Sequence, residues 1–376
     1  MTDRPDVVVV GGGGIGCASA WELAGRGLRV VVVERGTPGR EATWAAAGML
    51  SALSDDEHPD DLLALARASR ERYPAFVEAL RQATGVELGH RTPGSLRMAL
   101  SDEEAASLRR WVTQQREAGL EAEWLDADAV RRLEPSLAPA VRGGALARTE
   151  QHIDNRRLGR ALWAAATAAG ARFRLGVPAT RILGADTGRV MGVELATGER
   201  IEAGAVVVAA GCWSGLLSGL PRALPVMPVR GQMLALETVP PPLARIVLSS
   251  RCYLIPDAGG RVLVGATVEQ VGFHAVVTPA GLRHLADAAC AAVPVLAEAP
   301  IVEVWAGLRP GTPDGLPVLG PDPEVPNLIY ATGHHRNGIL LTPITAAVVG
   351  DIVAGAVPAV PLDPYSPARF AERGHG

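Results

Sequence analysis

Residues 7–34, VVVVGGGGIGCASAWELAGRGLRVVVVE, decide the fold. The apolar run Val7–Val10 predicts a buried parallel strand that leads into the pattern G-x-G-x-x-G. The glycines of this pattern are Gly11, Gly13 and Gly16. The first allows a tight turn, the second lets the backbone approach a pyrophosphate, and the third lets the next helix pack against the strand. The second strand, 28–33, ends in Glu34, whose carboxylate suits the hydroxyls of a ribose and would repel a 2′-phosphate. Strand, turn, helix, strand and acid in this order predict a Rossmann-type unit that binds a nucleotide cofactor.

Composition limits the remaining interpretations. The chain has 376 residues, of which 48% are hydrophobic, which is enough for a large core and two domains. The formal net charge of −4 argues against nucleic acid or an acidic membrane surface as a partner. No apolar run approaches the ~20 residues that a membrane span needs. The first residues lead straight into a strand without the layout of a signal peptide, so we expect a cytoplasmic protein.

The basic and sulfur-containing residues exclude several chemistries. All 36 Lys and Arg residues are arginine, so the chain has no lysine for the Schiff base of a pyridoxal phosphate enzyme or for a Walker A loop. The four cysteines show no C-x-x-C spacing and lie in apolar surroundings. They are Cys17, Cys212, Cys252 and Cys290. This pattern predicts reduced core residues and neither a disulfide framework nor a metal site.

The rest of the chain contains two kinds of pattern. Residues 205–211, AVVVAAG, predict another buried parallel strand, whereas short strands separated by Pro and Gly between residues 224 and 267 favour an antiparallel sheet. Helices are predicted over residues 62–84, 102–117, 155–170, 279–292 and about 339–354. The fold class is therefore α/β, with a discontinuous Rossmann-type domain and an inserted α+β domain. The first consists of residues 1–85, 145–220 and 301–376, and the second of residues 86–144 and 221–300.

Further motifs carry a family resemblance over nearly the whole chain. They are EATWAAAGML at 41–50, VVVAAGCWS at 206–214, CYLIP at 252–256, VLVGAT at 262–267, WAGLRPGTPDGLPVLG at 305–320 and GHHRNGILLTP at 333–343. With these motifs the chain resembles the FAD-dependent D-amino-acid oxidase superfamily, and within it the glycine oxidases of the thiamine-biosynthesis type. The resemblance makes the Rossmann-type domain the FAD-binding domain and the inserted domain the substrate domain.

FAD is the cofactor that the resemblance implies. Related sarcosine oxidases attach flavin to a cysteine in a loop that corresponds to residues 309–314, and that loop has no cysteine here, so noncovalent binding is expected. The small residues at 45–48 fit a close approach of backbone N–H groups to the flavin, although residue type alone equally allows a packed helix start. The predicted cofactor contacts are Gly11, Gly13, Ile15, Gly16, Glu34, Ala46, Ala47, Gly48, Met49, Val177, Gly211, Gly333, His334, Arg336, Asn337, Gly338, Ile339 and Leu340.

Three residues match the substrate-binding and catalytic positions of the family. Arg309, expected in the turn after a strand, matches the arginine that clamps the substrate carboxylate, and Tyr253 matches the tyrosine that donates to it. Arg336 matches a second arginine near flavin and substrate. Arg251 and Val268 depart from the family pattern of histidine and methionine, which would admit a larger substrate or one with an acidic side chain. His334 and His335 have no carboxylate pair beside them, so no metal site is predicted.

The resemblance implies oxidative deamination of glycine or a small amine. Hydride passes from the substrate Cα to flavin N5, which gives an imine, then glyoxylate and ammonia, while oxygen is converted to hydrogen peroxide. The imine would serve thiazole synthesis, and relatives suggest a homo-oligomer. A dehydrogenase of D-amino acids or secondary amines that passes electrons to another carrier is the alternative. A noncatalytic or RNA-associated flavoprotein is disfavoured by the presence of Tyr253, Arg309 and Arg336, and an NAD-dependent dehydrogenase follows only from the first motif.

Overall fold

The computed structural model describes residues 4–53, 60–257 and 259–370. Within these ranges the strands are β1 Val7–Val10, β2 Val30–Glu34, β3 Met49–Leu50, β4 Ser95–Ala99, β5 Glu123–Asp126, β6 Gly143–Ala147, β7 Gln151–His152, β8 Arg172–Leu175, β9 Ala179–Leu183, β10 Gly192–Leu195, β11 Arg200–Glu202, β12 Ala205–Val208, β13 Met227–Glu237, β14 Ile246–Leu248, β15 Tyr253–Pro256, β16 Arg261–Gly265, β17 Ile301–Gly311, β18 Val318–Pro321 and β19 Leu328–Thr332. The helices are α1 Gly14–Gly25, α2 Ala42–Ala45, α3 Asp60–Thr84, α4 Asp102–Glu117, α5 Ala127–Leu133, α6 Asn155–Ala168, α7 Pro279–Ala292 and α8 Thr342–Val353.

The nucleotide-binding motif belongs to a six-stranded sheet in the order β18-β19-β12-β1-β2-β8. Its strands are parallel except β18, which pairs antiparallel with β19. Helices α1, α6 and α8 cover one face, and the three-stranded sheet β9–β11 packs on the other. Because both faces are covered, Val7–Val10 are all buried, as the continuous apolar run predicted. The predicted discontinuous Rossmann-type fold is confirmed.

The second large sheet has eight strands in the order β17-β13-β16-β15-β14-β4-β6-β5. It is antiparallel apart from the pair β14 and β4, and α7 packs on it. The expected turn at Arg309 is wrong: eleven-residue β13 pairs with β17 as far as Gly311, which keeps Arg309 inside the strand opposite Val229. Strand β17 also extends this sheet beyond the predicted boundary at residue 300, and the division into domains stays a prediction.

The last helix begins later than predicted. Residues His335–Asn337 form a 3-10 turn, and α8 starts only at Thr342, with Pro343 in its first turn. Proline is tolerated there because the first N–H groups of a helix have no partner within the helix. No helix in the described ranges is long and apolar enough to cross a membrane.

Candidate active site

A cleft runs from the carboxyl ends of β1 and β2 to one face of the eight-stranded sheet. Residues of β13, β15 and β17 line it there. Most of the residues that the sequence singled out line it. They are Gly11, Gly13, Ile15, Glu34, Ala46, Ala47, Gly48, Met49, Gly211, Tyr253, Arg309, His334, Arg336, Gly338 and Ile339. The cleft thus joins the nucleotide-binding motif to the predicted substrate groups.

Five predicted cofactor residues do not line the cleft: Gly16, Val177, Gly333, Asn337 and Leu340. Gly16 instead lies against the first turn, since a Cβ atom there would be 1.8 Å from the carbonyl oxygen of Gly11. This contact is the helix–strand packing that the third glycine of the motif permits. Pro178 and Ala179 line the cleft where Val177 was expected.

The glycines before α1 have two different roles, one in the turn and one in the cleft. Gly11 has a φ of +105°, and a Cβ atom there would lie 2.4 Å from the carbonyl oxygen of Ala209. A Cβ atom on Gly13 would meet nothing closer than Thr43 Oγ1 at 3.7 Å, so this glycine leaves space in the cleft. The N–H of Gly14 donates to Thr43 Oγ1 at 2.8 Å. Thr43 therefore accepts from one of the N–H groups that have no partner within the helix. The helix dipole favours an anion at this N-terminus.

Glu34 lies at the end of β2, as the motif predicted. Its Oε2 accepts from the N–H of Gly12 at 2.7 Å, and its Oε1 accepts from the N–H of Gly36 at 2.8 Å. These two bonds fix the orientation of the carboxylate. Each oxygen keeps a second lone pair, so Glu34 can still accept from a ribose hydroxyl.

Sequence reasoning missed a stacked pair beside Glu34. The guanidinium of Arg35 lies 3.5 Å from the centre of the Trp213 ring, and Arg35 also forms an ion pair with Glu41 at 2.5 Å. All three side chains line the cleft. The strand order β12-β1-β2 brings residues 35 and 213 to the same edge of the sheet, which no local pattern shows.

Arg309 lies on the wall of the cleft that β13 and β17 form. A Cβ atom on Gly231 would be 2.4 Å from both Nη1 and Nη2 of Arg309, so the guanidinium lies flat against the Gly231 backbone. Its Nη1 donates to the carbonyl oxygen of Thr267 at 3.1 Å. Burial lowers the pKa of Arg309, and Tyr253 partly offsets this while the charge of Arg336 adds to it. Arginine still stays charged, because its ordinary pKa lies so far above neutrality.

Tyr253 lies next to Arg309 and, like Arg309, packs against a glycine of a neighbouring strand. A Cβ atom on Gly265 would lie 2.4 Å from the Tyr253 hydroxyl oxygen. The hydroxyl donates to Met233 Sδ at 3.6 Å, and Arg309 lies close enough for its charge to act on it. Burial raises the pKa of Tyr253, although the charges of Arg309 and Arg336 act in the opposite direction. The hydroxyl is therefore protonated near neutral pH and has a hydrogen to donate to a carboxylate.

Arg336 and His334 differ in their surroundings although both line the cleft. Arg336 is exposed, and its charge acts on both Tyr253 and Arg309. His334 is buried, with Nε2 3.1 Å from Thr345 Oγ1, and burial lowers its pKa to about 3. His334 is thus neutral at physiological pH. Its hydrogen bond with Thr345 links the cleft wall to α8.

The sequence analysis did not single out Gly231 or Gly265. A glycine inside a strand pattern signals a close approach of another group, and this signal was available for Gly265 in VLVGAT but not for Gly231, which became part of a strand only through the length of β13. Arg251 and Val268, in contrast, are exposed and do not line the cleft. In the described part of the chain no group of three or more His, Cys, Asp and Glu side chains is arranged to hold a metal ion.

Comparisons with known proteins agree on one family. The family model described as FAD dependent oxidoreductase matches residues 6–352. Glycine oxidase of Geobacillus kaustophilus is 38% identical over 372 residues, which cover 98% of each chain. The bifunctional protein ThiO/ThiG of Trichormus variabilis is 38% identical over 352 residues, and the match covers 93% of this chain and 52% of that protein.

Solved structures give the same result. The crystal structure of glycine oxidase from Geobacillus kaustophilus superposes with a TM-score of 0.93 and covers 98% of this chain and all of that chain. Iminodiacetate oxidase from Chelativorans sp. BNC1 is 28% identical, with a TM-score of 0.86 over 96% of this chain and 98% of its own. The NAD-dependent interpretation, which rested on the first motif alone, finds no support among these relatives.

Proposed function

The chain belongs to the FAD-dependent oxidoreductase family, and from this premise we propose that it oxidises glycine or a closely related small amine with molecular oxygen. One observation carries the proposal beyond the family. The pair Arg309 and Tyr253, which suits a carboxylate, lines the same cleft as the glycine motif at the N-terminus of α1. A carboxylate-bearing substrate would therefore bind beside the cofactor.

The residues present fit noncovalent FAD. Gly11 permits the tight turn, Gly13 leaves the space that a pyrophosphate needs, and Glu34 suits a ribose. Gly48 has a φ of +76°, and a Cβ atom there would lie 1.9 Å from the carbonyl oxygen of Ile153, so no larger residue fits in this wall. When bound, FAD supplies the acceptor for the hydride that leaves the substrate Cα.

The substrate carboxylate is bound by Arg309 and Tyr253. The planar guanidinium of Arg309 offers two parallel donors, and the Tyr253 hydroxyl adds a third. Because Gly231 and Gly265 hold these side chains against the backbone, their orientation is fixed before the substrate arrives. The exposed Arg336 adds positive charge at the same end of the cleft. Catalysis then depends on placing the Cα–H bond correctly and on electrostatics.

No dedicated protein base is required. Hydride leaves Cα of the neutral amine, the nitrogen lone pair forms the C=N bond, and water then hydrolyses the imine. Glycine, oxygen and water give glyoxylate, ammonia and hydrogen peroxide. The acids among the described lining residues, Glu34 and Glu41, are bonded to the N–H of Gly12 and to Arg35. A place in thiamine biosynthesis accords with relatives named ThiO/ThiG.

Oxygen uptake with glycine tests this proposal. We expect the FAD-loaded protein to consume one oxygen per glyoxylate formed, with one hydrogen peroxide, and heat-denatured protein to consume none. Glyoxylate formed only with an artificial electron acceptor, without oxygen uptake, would favour the dehydrogenase alternative. Absence of glyoxylate with either acceptor would remove glycine as the substrate.

A dicarboxylic secondary amine is the second candidate substrate. The charges of Arg309 and Arg336 both act on Tyr253, so a substrate with two carboxylates would meet positive charge from two arginines at this end of the cleft. Iminodiacetate oxidase is among the similar structures. A higher kcat/KM for iminodiacetate than for glycine would select this candidate.

Assembly into a homo-oligomer and a cytoplasmic location stay predictions.

A further inference from the structure

Four of the five backbone carbonyls of residues 43–47, a segment on the wall of the cleft, accept hydrogen bonds from side chains in two other parts of the chain. The Asn155 amide donates to the carbonyls of Thr43 and Trp44, at 2.8 and 3.0 Å. The remaining donors are Arg156 Nε to Trp44 at 3.4 Å, Trp305 Nε1 to Ala45 at 3.0 Å and His152 Nε2 to Ala47 at 3.1 Å. The orientation of the peptide units in this segment is therefore set from outside it.

The second attachment of the segment is to the strand that carries the substrate arginine. Glu303, Trp305, Gly307 and Arg309 alternate along β17, so they share one face. A Cβ atom on Gly307 would lie 2.3 Å from Ala45 Cβ, which places the segment directly on that face. The distance between the cofactor-lining backbone and Arg309 is set by this contact.

Arg156 contacts both the segment at residues 43–47 and strand β17. Its guanidinium lies 3.9 Å from the centre of the Trp44 ring and 4.9 Å from that of Trp305. Its two terminal nitrogens bind the two carboxylate oxygens of Glu303 at 2.8 and 3.0 Å. The planar guanidinium thus stacks on the segment at residues 43–47 and donates two hydrogen bonds to Glu303 of β17. The flexible ammonium of lysine does not reproduce this combination.

We infer that Arg156 is a positioning residue for the oxidation step: it fixes residues 43–47 against the Arg309 face of β17. This inference rests on the proposed function. Without Arg156 the cofactor and the carboxylate would still bind, but their relative placement would relax. A displacement of 1 Å between reacting groups costs about 100-fold in rate. The loss should therefore appear in the rate of flavin reduction at saturating substrate more than in binding.

The test compares Arg156→Ala and Arg156→Lys with Arg157→Ala, which removes a neighbouring exposed arginine of the same helix. Arg157 pairs with Asp154 at 3.1 Å and donates to the carbonyl of Glu87 at 3.2 Å, and both partners lie outside the segment and β17. In anaerobic stopped-flow mixing with glycine, we expect Arg156→Ala to lower the limiting reduction rate about tenfold or more, with Arg156→Lys between it and wild type. The dissociation constants of FAD and of acetate, a carboxylate without the amine, should change less than about threefold.

A limiting reduction rate of Arg156→Ala within twofold of wild type would overturn the inference, as would weaker FAD binding with a normal rate in the loaded fraction.

A failure of the proposed function would be distinguishable. If glycine does not reduce the wild-type flavin, the visible circular dichroism of bound FAD replaces the rate as the readout. Arg156→Ala should alter that spectrum and Arg157→Ala should not. An unaltered spectrum in Arg156→Ala would overturn the inference in that case.

Discussion

The guanidinium of Arg309 lies flat against the backbone of Gly231, because a Cβ atom at residue 231 would be 2.4 Å from both of its terminal nitrogens. The two residues lie on neighbouring strands, and both line the cleft. A methyl group at position 231 would push the guanidinium away from the strand and misplace the carboxylate that it binds.

Gly231→Ala should therefore raise the KM for glycine about tenfold or more, because the charged hydrogen bonds of Arg309 are weakened. FAD affinity should stay near wild type. Steady-state kinetics and a fluorescence titration of FAD check both. Gly25→Ala is the matched control, since nothing lies within 4 Å of a Cβ atom there. Equal KM values for the two variants would show that Gly231 does not position Arg309.

Arg309→Ala should raise the KM about 10- to 100-fold, the range expected for about 1.5–3 kcal/mol from a charged hydrogen-bond partner. Arg309→Lys should recover little, because lysine lacks the planar fork. Both variants should be purified with FAD bound. Unchanged kinetics in Arg309→Ala would remove this residue from the substrate site.

Tyr253→Phe tests the hydroxyl without removing the ring that packs on Gly265. Acetate should bind about tenfold more weakly to this variant, because one donor to the carboxylate is gone. Since burial raises the pKa of Tyr253, the hydroxyl stays protonated and wild-type acetate binding should show no loss from its ionisation between pH 7 and about 9. Acetate affinity that is equal in Tyr253→Phe and wild type would contradict the assigned contact.

His334 should make the folded protein sensitive to acid. Burial lowers its pKa to about 3, whereas in the unfolded chain it titrates near 6.5. Between these values the unfolded state binds the proton and the folded state does not, so the stability contributed above pH 6.5 is lost as the pH falls toward 3. His334→Gln should therefore show a smaller drop in Tm between pH 7 and pH 4.5 than wild type. The exposed His284 provides the control, and a drop in His334→Gln as large as in His284→Gln would refute the argument.

The parts of the fold that local chemistry determines were predictable. An apolar run, three spaced glycines and an acid specify the turn at Gly11 and the position of Glu34 without long-range information. Arg309 was recognised by its motif but placed in a turn, because the length of β17 depends on its pairing with β13. The stacking of Arg35 on Trp213 and the contact of Gly231 with Arg309 join residues more than 70 positions apart, so they follow from strand order, which the sequence pattern did not provide.

The central claim is that the cleft brings a substrate held by Arg309 and Tyr253 to a bound FAD. The visible absorbance of the purified protein, recorded while glycine is added without oxygen and then after air is admitted, tests it most directly. We predict a flavin spectrum that glycine bleaches and air restores, with hydrogen peroxide formed on reoxidation. A flavin that stays yellow with glycine, iminodiacetate and other small amines would contradict the claim while leaving the fold and the cofactor in place.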